Sequence, residues 1–275
     1  MVSFGVWKNR YKKFLDNPIA VVPFIKKRFY YNRIADAELK NYKNFQYLDY
    51  NKTIDLLISG NKSIVRFGDE IFDMIQGIGL YYGDWRQKYN PALAKRLKEV
   101  LSSDNDKLLV CFNPELILKT KEEFSKMGIP EQYHFWTNSK IFLKNYYHPN
   151  KVYGSALCFN STYNQNIDYK KILVFLATKH IIVVTSNTAR FGNYQFGKST
   201  SFVEAPQSDA WDSYDDLLKK TLQLLTKYPQ DESLVMVSMG SAAKVMSYDL
   251  TEIGYSVWDT GQFFDLAYQK IKDAK

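Results

Sequence analysis

Ile181-Ile-Val-Val-Thr185 and Ser233-Leu-Val-Met-Val-Ser-Met239 are apolar at nearly every position, and between them runs Tyr214-Asp-Asp-Leu-Leu-Lys-Lys-Thr-Leu-Gln-Leu-Leu-Thr-Lys-Tyr228, with leucines at helical spacing. Apolar runs this short read as buried strands, and a strand apolar on both faces has to be covered on both. A parallel sheet between layers of helices meets that condition. The same alternation extends outward in both directions. Ser63–Phe67, Lys107–Phe112 and Tyr255–Trp258 are further short apolar runs. Residues 91–102 form the clearest helix, with Pro91 in its first turn and Leu93, Leu97 and Leu101 on one face. Helices are also expected over 34–60 with Gly60 as the stop, over Ile71–Ile75, over 115–127, from Ser241 to Ile253 and from Phe263 to Ile271. KILVFLATK (171–179) precedes the strand at 181, and the Tyr-, Asn- and Phe-rich segment 131–170 offers only a helical stretch at Ile141–Tyr147. No repeat or flexible linker divides the chain. The expected organisation is one α/β domain over 45–275 behind a basic, aromatic N-terminal helical extension over 1–44.

Composition narrows the class. The 275 residues are 45% hydrophobic and 24% charged, enough apolar matter for a core and too much for a disordered chain. Only 13 Gly and 8 Pro exclude a fibrous or low-complexity chain. The 21 Tyr and 18 Phe suit either sugar- or lipid-facing surfaces or an aromatic core. Cys111 and Cys158 sit in apolar stretches that read as strands, so buried, reduced thiols are expected. No secretory signal pattern stands at the start and no apolar run is long enough for a bilayer, so a cytoplasmic protein is expected, peripheral on the inner membrane face if attached at all. The net charge of +8 is uneven: residues 1–33 hold eight Lys and Arg against Asp16, interleaved with Phe, Trp and Tyr. Such an arm fits solvated docking or contact with an anionic membrane; nucleic acid ranks last because no recognition motif accompanies the charge.

In a parallel sheet, ligands collect at the carboxyl ends of the strands. Those ends carry Arg66-Phe-Gly-Asp-Glu70, Asn113-Pro-Glu115, Thr185-Ser-Asn-Thr-Ala-Arg190, Gly240-Ser-Ala-Ala243 and Asp259-Thr-Gly-Gln262, with Asp265 beyond. Acids, arginines, small residues and amides suit a phosphorylated, polyhydroxylated ligand. Asp69, Glu70 and Asp73 are spaced to share a helix face and bind Mg²⁺ or Mn²⁺, while Asp69 also fits a helix cap. Arg66 can clamp a phosphate or pair with an acid. Gly240 and Ser241 open a helix whose free N–H groups can meet phosphate, or they merely permit a tight turn. No dinucleotide, P-loop, GxSxG or histidine–metal pattern occurs.

Taken in order, Ser63-Ile-Val-Arg-Phe-Gly-Asp-Glu-Ile-Phe-Asp-Met-Ile75, Tyr89–Leu101, Leu108–Cys111, Ile181–Ser186 with Arg190, Glu204-Ala-Pro206 leading to Tyr214-Asp215, Met239–Ala243, Tyr248–Leu250, Gly254-Tyr255 and Asp259–Gln262 resemble the bacterial GT-D-type glycosyltransferases over roughly residues 45–270. The resemblance implies a Rossmann-like domain, sugar transfer from a nucleotide-diphosphate donor such as a UDP-sugar to a glycan, lipid-linked or protein-linked acceptor, and help from Mn²⁺ or Mg²⁺. It assigns Asp69 and Glu70 to metal, Arg66, Gly68, Arg190, Gly240 and Ser241 to donor phosphate, and Asp69, Gln262 and Asp265 to catalysis. The family's first motif reads Arg-aromatic-Gly-Asp-Gly-Glu; here Glu70 stands at the second glycine and Ile71 at the glutamate. Its late Gly-His is Gly261-Gln262 here. These departures leave a second reading, a catalytically impaired sugar-nucleotide-binding or partner subunit.

Overall fold

The computed structural model describes residues 14–82 and 85–264. After helical turns over residues 18–42, the chain runs through β1 (Gln46–Tyr47), α1 (Tyr50–Gly60), β2 (Ser63–Arg66), α2 (Asp69–Ile75), β3 (Leu80–Tyr82), β4 (Trp85–Gln87), α3 (Pro91–Leu101) and β5 (Leu108–Phe112). It continues with α4 (Pro114–Ile117), α5 (Lys121–Lys126), α6 (Tyr133–Phe142), β6 (Val152–Ser155), α7 (Tyr169–Leu176), β7 (His180–Thr185), β8 (Ser199–Glu204), α8 (Tyr214–Leu225), β9 (Ser233–Ser238), α9 (Ser241–Glu252) and β10 (Ser256–Asp259). Its contacts form two units: residues 1–47, 67–102 and 112–153 in one, and 48–66, 103–111 and 154–275 in the other.

The second unit carries the expected parallel sheet, in the order β5-β2-β10-β9-β7-β8. The registers Val65↔Val110, Val257↔Val235, Val183↔Met236 and Val183↔Phe202 hold neighbouring strands in step. Alternate residues Ile64, Leu109, Cys111, Ile181, Val183, Leu234, Met236 and Trp258 join one core with Ile54 and Leu57 of α1 and Ile172, Leu173 and Leu176 of α7. The intervening residues Val65, Val110, Ile182, Val184, Val235, Val237 and Val257 are equally inaccessible. On that side α9 packs on β2, β9 and β10, and α8 on β7 and β8. Helices therefore cover both faces, as continuous apolar strands require.

The first unit gathers α2 to α6, the antiparallel hairpin β3–β4, the parallel pair β1–β6 and the arm. The described part of the arm is built into this unit. Tyr42 donates its hydroxyl to Lys140 O at 2.7 Å, Asp36 accepts from Tyr133 at 2.8 Å, and Lys144 pairs with Glu38 at 2.6 Å. Phe112 lies 5.1 Å from Tyr153, 5.8 Å from Phe67, 6.2 Å from Phe45 and 6.4 Å from Phe72, ring centre to ring centre. Much of the aromatic excess is therefore core rather than ligand surface, since edge-on and tilted rings pack favourably.

Several local expectations change. The helix expected over 34–60 is interrupted by β1, and its left-handed stop is Asn61 (φ 45°) rather than Gly60. The stretch 115–127 is two helices, because Thr120 forms a capping box with Glu123 and restarts the chain as α5. Cys158 lies in a turn after β6, not in a strand; both thiols are nonetheless free and buried, and burial pushes Cys158 up to about 12, which keeps it protonated and unreactive. The closing helix shows only Phe263 and Phe264 within the described residues.

Candidate functional site

Asp69 opens α2, but it is not the cap. That position belongs to Gly68, in extended conformation, and no side chain caps the helix. What the Asp69 carboxyl meets is Glu70, with which it is hydrogen-bonded. Glu70 folds back over Gly68 so closely that a Cβ there would lie 2.1 Å from its Oε2, so the glycine makes room for the carboxylate. Ile71, where the family has glutamate, is completely buried in the apolar side of the helix. Glu70, one residue before that position, is thus the carboxylate that stands beside Asp69.

This acid pair stands in strong electrostatic tension. Asp69 keeps a partial opening to solvent, yet its surroundings desolvate it enough to hold its pKa well above the ordinary carboxylate range. The charges of Glu70 and Asp73 push the same way, and Lys27 opposes them. Lys27 comes from the arm: its Nζ is 2.7 Å from Asp73 Oδ1 and 3.2 Å from Phe135 O. Asn138 Nδ2 donates to the same Asp73 oxygen at 2.8 Å. Two adjoining carboxylates relieve their repulsion by sharing a proton or a cation, and an all-oxygen pair suits a hard divalent ion. Among the described residues no group of three His, Cys, Asp or Glu that could hold a metal ion is gathered.

In the larger unit a second constellation surrounds Asp259, which is 1% exposed. Its Oδ2 accepts from Arg66 N at 3.0 Å and pairs with Lys244 Nζ at 3.0 Å, while Oδ1 faces Arg66 Nη2 at 3.9 Å. Arg66 Nε donates to Asp259 O at 2.6 Å and Nη1 to Ala156 O at 2.9 Å. Of the two expectations for Arg66, phosphate or acid, the contacts seen are with an acid and with backbone carbonyls: Nε and Nη1 donate to carbonyls, Nη2 faces Asp259, and the side chain holds the end of β10. Gly261 (φ 51°) lies under that guanidinium, where a Cβ would sit 1.7 Å from Nη2, so a larger residue would displace the arginine head.

Lys244 extends the same network to the start of α9 by donating to Gly240 O at 3.3 Å. Gly240 turns at φ 63° and ψ −135°, a conformation that essentially only glycine takes without strain. Ser241 follows, 1% exposed, with its hydroxyl lacking a hydrogen-bond partner. The start of a twelve-residue helix, with an unspent buried hydroxyl and a lysine behind it, favours an anion. Ser238 Oγ donates to Gly261 O at 2.5 Å, joining the turns after β9 and β10. Gln262 is exposed beside them, and Asp265 lies outside the described residues.

Arg190 occupies a separate exposed loop after β7. Glu204 shapes that loop by accepting from Asn187 N at 2.7 Å, Thr188 N at 2.8 Å and Thr188 Oγ1. These bonds, with the nearby Arg190 charge, hold the Glu204 carboxyl below its usual range. Arg190 itself lies 4.8 Å over the Phe191 ring. Tyr214, from another motif of the resemblance, donates to Asp249 at 2.6 Å and ties α8 to α9.

A family profile described as the glycosyltransferase GT-D fold matches residues 64–273. The chain belongs to the GT-D-fold glycosyltransferases. Among curated relatives, a probable glycosyl transferase of Streptococcus gordonii is 26% identical over 90% of this chain and 35% of its own length. The glycosyltransferase GlyD of Streptococcus pneumoniae is 25% identical over 81% of this chain and 27% of its own length. This GT-D chain therefore spans about a third of the curated relatives it matches. A solved structure of the domain of unknown function 1792, described as a distinct glycosyltransferase fold, superposes with TM-score 0.67 and 23% identity over 87% of this chain and 85% of that one. A glycosyltransferase from Streptococcus sanguinis does so at 0.62 and 23% over 83% and 85%.

Lys27, Lys244 and Asp259 carry as much of these networks as the residues singled out from sequence. Asp259 was visible as a strand end. Lys244 had the faint signal of standing one helical turn after Gly240, whereas Lys27 had none beyond the charge of the arm.

Proposed function

We propose that the chain transfers a sugar from a nucleotide-diphosphate donor, a UDP-sugar, to a glycan or glycoconjugate acceptor, lipid-linked or protein-linked, in the building of a bacterial surface polysaccharide or glycoprotein. The observation that carries this reading is the Asp69–Glu70 pair: despite Ile71, two carboxylates meet at the head of α2. Glycosyl transfer leaves negative charge on the departing phosphate and positive charge at the anomeric carbon. A Mn²⁺ or Mg²⁺ held by Asp69 and Glu70 would supply charge neutralisation at the diphosphate. In the larger unit, the N–H groups and hydroxyl at Ser241, backed by Lys244, offer a phosphate-binding start of α9, with Gly240 giving the approach. Arg190 is the exposed cation for the donor, and Gln262 with Asp265 the candidate groups toward the acceptor.

Titration calorimetry with a panel of UDP-sugars, with and without Mn²⁺, tests this. Donor binding that strengthens with Mn²⁺, together with release of UDP, supports the proposal. Binding without turnover would instead favour a partner subunit, and absence of binding would end the donor assignment.

A further inference from the structure

Ile19, Val22, Ile25 and Phe29 follow at steps of three or four residues along the helical turns of the arm, and they are 80%, 57%, 49% and 64% exposed. Leu15 and Tyr30 lengthen this apolar strip. It is not the face of a loose helix. Ala20 and Lys27 are buried on the other side, Asn17 Nδ2 donates to Gly77 O at 3.0 Å, Lys27 is bonded to Asp73, and Tyr31 packs edge-on against Phe142 at 5.4 Å. The arm is thus anchored by one side and turns large apolar side chains outward, which marks an interaction surface.

The charge around the strip says what kind. Lys26, Arg28 and Arg33 are exposed beside it, and no ion pair engages them among the described residues. The preceding sequence adds Lys8, Arg10, Lys12 and Lys13. A second copy of this face would set these cations against their own copies, since a two-fold contact is self-matching. Nucleic acid would match the cations and leave the apolar strip idle. A negatively charged lipid surface satisfies both: the strip enters the acyl boundary while the cations meet headgroups.

We propose that residues 15–33 form an interfacial docking face that seats this unit on an anionic membrane. The proposal deepens the function proposed above by naming the surface at which a lipid-borne acceptor would be met, but vesicle binding requires no donor or turnover, so the two fail separately.

The test is co-sedimentation of the whole chain with phosphatidylcholine vesicles with and without phosphatidylglycerol. Binding is expected only with the anionic lipid and should fall as salt rises. Each basic residue contributes about five-fold, so Lys26→Gln with Arg28→Gln should weaken binding about 25-fold. Ile19→Ser with Phe29→Ser should also release the protein, with its melting temperature unchanged because both side chains already face water. Failure of the intact chain to bind anionic vesicles overturns the proposal, as does binding indifferent to both double variants. It is equally overturned if the apolar pair instead converts a dimer to a monomer.

Discussion

Replacing Asp259 by alanine removes the carboxylate that holds Lys244 and the Arg66 backbone in the larger unit. The pair is almost fully enclosed, with side chains 1% and 6% exposed. Without Asp259, Lys244 keeps only a 3.3 Å contact with Gly240 O, and Arg66 N loses its 3.0 Å acceptor. Removing one partner of a buried ion pair costs about 3–5 kcal/mol, because the remaining charge is stranded away from water. For a chain of this size, each kcal/mol lowers the melting temperature by about 2–4 °C, which gives a fall of about 6–20 °C. Urea and thermal unfolding followed by circular dichroism read the loss directly. The double variant Asp259→Ala/Lys244→Met should recover most of it, since neither charge then remains buried alone. A single variant within about 1 kcal/mol of the parent, less than a typical lost buried hydrogen bond, would refute this reasoning. So would a double variant no more stable than the single.

Three further outcomes follow from the same networks. The folded-state pKa of Asp69 lies above its unfolded value, so the native carboxyl binds its proton more tightly, and stability falls as pH rises through the folded pKa. Asp69→Asn should therefore gain stability relative to the parent on going from acid to neutral pH, and a pH-independent difference in unfolding free energy would contradict burial as the cause. Lys27→Met removes the cation that lowers the Asp69 pKa; carboxyl NMR should show Asp69 titrating at still higher pH, and urea melts at neutral pH should show a loss of about 2 kcal/mol. Gly240→Ala forces a side chain into the turn at φ 63° and should cost about 1–3 kcal/mol in urea unfolding, with weaker UDP-sugar affinity by calorimetry.

The larger unit was legible because the interiors of β5, β7 and β9 are continuously apolar, which announces burial on both faces without any long-range information. Short or half-exposed strands did not. In β8, Ser199, Thr200 and Ser201 are only partly buried, and nothing in Ser-Thr-Ser distinguishes an edge strand from a loop. The two residues of β1 pair with a distant strand, Gln46 opposite Val152, and the hairpin β3–β4 has only three residues a side. In the first unit the helix α6 hides its logic: Thr137, Asn138, Ser139 and Lys140 are all buried, which defeats any apolar period. Lys140 resides there because its ammonium donates to Leu116 O at 3.3 Å, Ile117 O at 2.6 Å and Lys119 O. The candidate site divides similarly. Asp69 and Gly240 stood out by position after a strand, whereas the fate of Arg66 depended on Asp259 and Ala156, 193 and 90 residues away.

We propose that the Asp69–Glu70 pair serves sugar transfer, and UDP release from UDP-sugars in the presence of Mn²⁺ tests this most directly. The intact chain should turn over at least one donor, and Asp69→Asn should abolish that turnover while its unfolding curve shows a folded protein of equal or greater stability at neutral pH. Undiminished UDP release by a folded Asp69→Asn variant would contradict the account.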